Sequence, residues 1–568
     1  MGKRFLTKTG LGRVSFLSFF LLILSVLPSI CQATLLENIP LDSWVYSTVD
    51  ELYSQGLFPE LHRNVKPYTR GEIASYILEI NQKQKKQELE LTSSQLWLLE
   101  KLNQEFRFEI EELYQERYPL EIPPLDRLRV VTVRLRSLSL SKVEGSEVEP
   151  PKAGKDENRH VLKYGTYPVF YSDITGNDSS YCRLQAKFDA ALQFDKRLVL
   201  KDRVIIDTKA EKERRYWGRK WKRDLTGVFD EAYAQVDLKY FYLLLGRDHL
   251  RWGPGKKDVL LLSDQISPFD MLKLEGRLGS FKFIYFTTIL DQLWVPLYSD
   301  SGNLVGVFFA KRYFSGHRLN LKLKFGLEMG ISEVVVYGGQ NRNPEPYYLN
   351  PLLPYYGEQF NQDLDDNPLW AFDLALTWFK NKEFYAEILV DDFQYDFKSE
   401  PQQTGFQIGF DCAQIFGLQK SFTNFEYTKI NNWVYGQNKP WNIYTYHGFG
   451  MGSILGPDAD RLFLKFAYHL RKDIEFSFSE YYKRKGEGRI ETPQTSAVSY
   501  PKKFPSGVVE YTNQIRFETS YQPSSNFKLD WDWTYTRIRN FQNVGGKKTD
   551  DFGLEMRLNL NLCKERRF

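Results

Sequence analysis

The chain has 568 residues, enough for one large closed sheet or several ordinary domains. A mean hydropathy of −0.46 excludes a bundle of membrane helices, although aromatic residues make up 16% of the chain. Lys3, Arg4, Lys8 and Arg13 account for the whole formal charge of +4, leaving 72 bases against 72 acids after residue 33, a balance that gives no reason to expect a nucleic-acid partner.

Residues 1–33 read as an export signal, a signal peptide with a basic start and an apolar core from Val14 to Leu27. Cys31, Gln32 and Ala33 put small residues at the −3 and −1 positions of a cleavage site, and the apolar run is too short for a spanning helix. Ile30 stands where a lipid-modified Cys31 would want a small residue. Cys182, Cys412 and Cys563 are too few and too scattered for a disulfide framework or a metal cluster, so no metal and no cofactor is expected.

A helical section follows, with its domain bounds set at 34–124. Asp42 is positioned to cap a first helix carrying Val45, Val49 and Leu52 on one face, with Gly56 ending it. Thr69 and Glu72 form a capping box before Ile73, Tyr76, Ile77 and Ile80. A second box, Thr92 with Gln95, opens a helix running through Leu99, Leu102, Phe106, Ile110 and Leu113. Pro119, Pro123 and Pro124 mark the boundary.

From 125 to 568 the pattern changes to period two, starting with Val131, Val133 and Leu135. Leu319 to Ile331 is read as one thirteen-residue strand with Leu319, Leu321, Leu323, Phe325, Leu327, Met329 and Ile331 on a single face. The same alternation recurs at Phe372–Trp378, Leu462–Leu470, Phe527–Tyr535 and Phe552–Leu562. One such strand is equally at home in a soluble sandwich. Long, repeated copies with aromatics near their ends point instead to an all-β fold, a large antiparallel transmembrane β-barrel with a polar lumen, of about 16–22 strands. The helical section is then placed in the periplasm or as a plug, which puts the charged loop Ser141–His160 on the cell exterior; Arg214–Arg223, Asn341–Pro368, Lys483–Pro505 and Asn543–Asp550 are further loop candidates.

Few residues suggest chemistry. Asp391 and Asp392, near Asp396, are adjacent on a strand and point to opposite faces, so they cannot flank one glycosidic bond. Asp363, Asp365 and Asp366 lack the glycine and terminal glutamate of a calcium loop. The six histidines follow no catalytic order, and no catalytic residue is expected. The densest aromatic–basic cluster is Arg214, Arg215, Tyr216, Trp217, Arg219, Lys220, Trp221, Lys222 and Arg223, a composition suited to an anionic polysaccharide or to lipopolysaccharide phosphates. Trp252-Gly253-Pro254-Gly255 is not a phosphate loop, since it lacks the GK[ST] ending. Its glycines and proline set a tight turn, and Trp252 could stack on a sugar ring with Arg247 and Arg251 bonding acidic sugars, or else pack within the barrel.

These last residues belong to a more specific pattern. Gly246-Arg247, Trp252-Gly253-Pro254-Gly255, Leu260-Leu261-Leu262-Ser263 and Pro268-Phe269, then His317-Arg318-Leu319 and the acidic block Glu387 to Asp396, occur in this order. Together they resemble the Wzi-like capsule assembly family from about Arg127 onward. The resemblance implies an outer-membrane barrel of about eighteen strands with helices at its periplasmic end, and a lectin-like role that holds polysaccharide at the cell surface without turnover. Pro40 to Leu78, with Trp44, Gly56, Leu57 and Tyr68-Thr69-Arg70-Gly71-Glu72, weakly resembles one S-layer-homology repeat, which implies a cell-wall polymer as a further partner. The expected site is thus Arg214, Arg215, Trp217, Arg219, Trp221, Arg247, Arg251 and Trp252. The alternative reading is a porin or substrate-selective channel, for which a polar lumen is equally the signature.

Overall fold

A computed structural model describes residues 34–117 and 160–567, apart from 176–178, 195, 211–215, 217, 220, 222–224, 300–301, 378, 393–401, 493–502, 525 and 561. The signal segment, the strand expected at Val131, residues 141–159 and the 124/125 boundary lie outside the described residues. Twenty strand segments form one sheet in which every neighbouring pair is antiparallel. Phe281–Ile289 and Leu293–Tyr298 both run along Leu304–Lys322, and Lys548–Leu560 and Leu562–Arg567 both run along His160–Thr175. Each of these pairs is one interrupted stave, so the wall has eighteen. It is closed, because the last stave pairs with the first: Val169 with Asn559, Val161 with Arg567.

The outward face is apolar and the inward face polar. On Asn367–Leu376, Phe372 and Leu374 are exposed while Asp373 is buried. Leu462 and Leu464, Phe406 and Ile408, Phe384 and Ile388 continue the exposed belt on neighbouring staves. A bilayer core demands such a belt, since alternate side chains meet lipid while every backbone group is paired along a closed sheet.

Leu319 to Ile331 is not one strand. Leu304–Lys322 ends in a turn at 323–326, with Gly326 at φ +84°, and Leu327–Gln340 returns. Lys322 faces Glu328 and Leu319 faces Ile331 across this hairpin. Facing partners share a side of the sheet, and here they differ by an even number of residues, so period two reads straight through the turn. The remaining strands hold their expected cores with shifted ends. Lys483 to Lys485 belong to the strand Ile474–Lys485, and the loop expected at Asn341–Pro368 contains a short helix, Tyr355–Asn361.

The front section consists of α1 (Val45–Ser54), α2 (Arg70–Lys85), α3 (Ser93–Glu105) and α4 (Arg107–Arg117). Val49, Leu52, Ile73, Ile77, Leu99, Leu102 and Phe106 form its core. Thr92 and Gln95 make the complete capping box, and Thr69 accepts from the Glu72 amide. Asp42 does not cap α1, whose N-cap is Trp44; it pairs instead with Lys187 and Arg203 of the barrel wall. The single helix expected through Leu113 is two helices, broken at Phe106. Arg70 of the Thr-Arg-x-Glu sequence is buried, bonded to Glu109 at 2.6 Å and Glu105 at 3.0 Å, so it clamps α2 to α3 and α4 rather than facing outward. The section stands at the end of the barrel where connections are short, held by Glu51 to His469 at 2.9 Å and Glu112 to Lys196 at 3.6 Å. The long connections, 208–225, 249–268, 341–366, 431–458 and 486–509, are all at the opposite, loop end.

Inserted segments plug the middle of the lumen. Segments 250–266 and 434–455 fold inward and join Leu36 and Val65 of the front section in a core with Phe286, Phe314 and Leu389 of the wall. Four buried wall glutamates each receive two consecutive backbone amides from an inserted segment. Glu328 takes Arg63 and Asn64, both at 3.0 Å; Glu387 takes Leu260 and Leu261 at 3.0 and 3.3 Å. Glu426 takes Lys256 and Lys257 at 2.9 and 3.3 Å; Glu333 takes Tyr355 and Tyr356 at 2.9 and 2.7 Å.

Two expectations follow. Leu464→Arg puts a charge mid-strand on the exposed belt and should lower barrel stability by about 2–4 kcal/mol, measured by folding into lipid vesicles; a silent substitution would place this face out of lipid. Glu387 has no cation within ion-pairing distance among the described residues, so Glu387→Ala isolates its amide contacts. It should weaken protection of the Leu260 and Leu261 amides by about 1–3 kcal/mol each in hydrogen exchange, with wall amides unchanged.

Candidate functional site

The glycine-rich turn is the centre of the inward fold. Val65 and Lys66 pair in antiparallel fashion with Trp252 and Arg251, and the Gly253 amide donates to the Asn64 carbonyl at 2.9 Å. Arg63 bonds the Pro254 carbonyl at 2.6 Å and Glu383 at 2.7 Å. Gly253 has φ +124°, and a Cβ there would sit 2.8 Å from the Glu387 carboxylate; a Cβ on Gly255 would overlap the Asp258 carbonyl at 1.8 Å. Both positions therefore require glycine. Trp252 is 0% exposed, edge-on to Phe286 with ring centroids 5.4 Å apart, so it offers no face to a sugar. Arg251 is buried beside it, bonded to the Gly255 carbonyl at 2.6 Å and to Asp264 at 3.3 Å. Arg247 lies on the outward side of the wall, in register with Leu245, and is paired with Asp270 at 2.5 Å. The structure thus separates these three residues: two shape the lumen plug and one stands on the outer wall.

At the loop end, connections 208–225 and 249–268 border a shallow, open cavity of about 280 Å³. Tyr216 and Gly227 line it, and Trp221 packs over Gly227 while remaining 46% exposed. The Tyr216 hydroxyl donates to the Arg219 carbonyl at 3.0 Å, which ties the loop back on itself and leaves the Arg219 side chain exposed. Tyr216, Arg219 and Trp221 are therefore brought together; Arg214, Arg215 and Trp217 lie outside the described residues.

Apolar surface from Ile205, Ala210, Val228, Ile266 and Pro268 lines the cavity beside charged groups, and those charges are paired. Arg183 holds Asp207 at 2.6 Å, with Gln185 adding a bond at 2.9 Å. Asp230 faces His249 at 3.0 Å, and Asp264 faces Arg251. Burial works against a charged His249, but the carboxylate of Asp230 outweighs it and holds the imidazole at about 9, so it is cationic at neutral pH. Each of these carboxylates is already engaged, which suits hydrogen bonding to hydroxyls better than proton transfer. Arg183, Asp207, Asp230 and His249 escaped sequence reasoning, because each is a lone polar residue at a strand end or connection and only closure of the sheet assembles them.

Comparison with known proteins fits this geometry. The family model described as capsule assembly protein Wzi matches residues 166–551. Among solved structures, the chain is similar to Wzi of Escherichia coli, described as an outer membrane protein involved in group 1 capsule assembly and a carbohydrate-binding β-barrel. Identity is 14%, coverage 93% of this chain and 99% of that one, and the TM-score 0.58. Pseudomonas aeruginosa OccD3 (OpdP) aligns at 7% identity over 71% of this chain and 91% of its own, with a TM-score of 0.42. A comparison with the curated proteins finds no match. The closed eighteen-stave wall, its apolar belt and the matched residues agree: this chain is an outer-membrane β-barrel that belongs to the Wzi capsule assembly family.

Proposed function

We propose that the protein holds a capsular or exported polysaccharide at the cell surface, through the loop end of its barrel and without turning it over. Outer-membrane barrels keep short connections in the periplasm and long ones outside, which puts the helices inward and the cavity outward. The observation that carries this reading is the loop-end cavity, lined by Tyr216 and Gly227, with exposed Trp221 over Gly227, Arg219 exposed on the same loop and its carboxylates held in ion pairs. Aromatic faces stack on the apolar patches of sugar rings, and arginine forks match carboxylates. Arg214, Arg215 and Trp217 of the same loop complete the contact surface. Arg247, paired with Asp270 on the outer side of the wall, stands apart from this surface. Arg251 and Trp252 act by shaping the plug.

Replacing Arg214, Arg215 and Arg219 with Gln, or Trp221 with Ala, should weaken retention on an immobilised acidic capsule about tenfold, some 1.4 kcal/mol, with folding intact. Unchanged retention at low salt would remove the loop from the contact surface. The plugged lumen should also give no large, stable conductance in planar bilayers; wide stable pores together with no glycan retention would favour a porin.

A further inference from the structure

A second cavity lies deeper in the barrel, and the loop-end reading does not use it. It occupies about 480 Å³ between the front section and the wall from Phe422 to Lys528, within the range of about 300–1,000 Å³ typical of small-ligand sites. Its mouth is at the helical end, where Ser47 and Lys472 are exposed. The inward-folded segment closes its far end, and Asp264 and Gln265 line both this cavity and the loop-end one.

Its lining is cationic. Nine lysines and arginines face it against five carboxylates. Lys257, Lys465 and Lys101 have no carboxylate within 4.0 Å among the described residues; Lys257 and Lys101 instead rest on the rings of Phe463 and Trp44. Lys257 is exposed to the cavity even though it lies on the plug. Two amide side chains belong to this lining. Asn424 and Gln522 are 2% and 8% exposed, and their side-chain oxygens have no hydrogen-bond partner. Trp44, Trp97 and Tyr481 add aromatic surface.

We infer that this cavity is a separate binding site for a short acidic oligosaccharide, one or two rings bearing a carboxylate, entering from the helical end. Unpaired ammonium groups supply the anion selectivity, and the aromatic surface of Trp97 and Tyr481 packs against the apolar side of a sugar ring. Both elements fit a charged sugar; a bare inorganic anion would leave the aromatic rings unused.

The test uses the mature protein in detergent micelles and isothermal titration with digalacturonate, its neutral dimethyl ester and inorganic phosphate. Saturable binding of digalacturonate, at least tenfold tighter than either control, is the expected result. Lys257→Gln with Lys465→Gln should weaken it at least tenfold while heat-modifiable electrophoretic migration stays that of the folded barrel. Ser47→Cys carrying a bulky maleimide should block it at the mouth without touching a cavity cation. Arg219→Gln with Trp221→Ala should leave it intact, which separates this site from the loop-end surface. Absence of saturable binding, equal binding of the ester or of phosphate, indifference to the double lysine variant or to the blocked mouth, or loss in the Arg219/Trp221 variant would each overturn the assignment.

Discussion

A carboxylate buried inside a barrel has to be satisfied by something that enters the barrel. Glu328, Glu333, Glu387 and Glu426 point inward because their strand neighbours point at lipid, and the segments packed over them exclude water. Each is met by two successive backbone amides, the donors that an irregular inserted segment itself leaves without partners. The two needs cancel: the wall would be destabilised without the plug, and the plug would carry orphaned amides without the wall. This reciprocity joins three distant parts of the chain, the front section, the 249–268 connection and the 341–366 connection, to one cylinder.

The outward half of this design was legible from the chain alone. Phe372 with Leu374 and Leu462 with Leu464 sit at spacing two because only alternate residues meet lipid, and that spacing survives in the sequence whatever the strand pairs with. The same property misleads at Leu319 to Ile331, where the alternation passes through a tight hairpin without a break in phase. Period two reports which side of a sheet a residue occupies; it does not report where the chain reverses. Gly326, with its positive φ, was the local mark of the turn.

The inward half was much less legible. Glu387 looked like one member of an acidic block, and its role depends on Leu260 and Leu261, far away in sequence. Trp252 and Arg251 looked like sugar contacts because an aromatic beside a cation is what glycan sites use. The glycines around them carried the opposite message: Gly253 and Gly255 are needed where backbone meets wall side chains too closely for a Cβ, which is a packing requirement of the interior. Thr92 with Gln95 was readable because a capping box is local. Asp42 resembled a cap for the same reason, but Lys187 and Arg203 of the wall outcompete a helix terminus for a carboxylate.

The plug also bears on how such a barrel can handle a long polymer. Two cavities lie back to back with Asp264 and Gln265 between them, and Asp264 is tied to Arg251, which in turn bonds the Gly255 carbonyl. Swinging this partition aside would break the Arg251 pair and the amide contacts of Glu387 and Glu426 together. It would leave several buried charges uncompensated, and each such loss costs about 3–5 kcal/mol. A partition held this way favours retention of a chain at either face over passage through the centre.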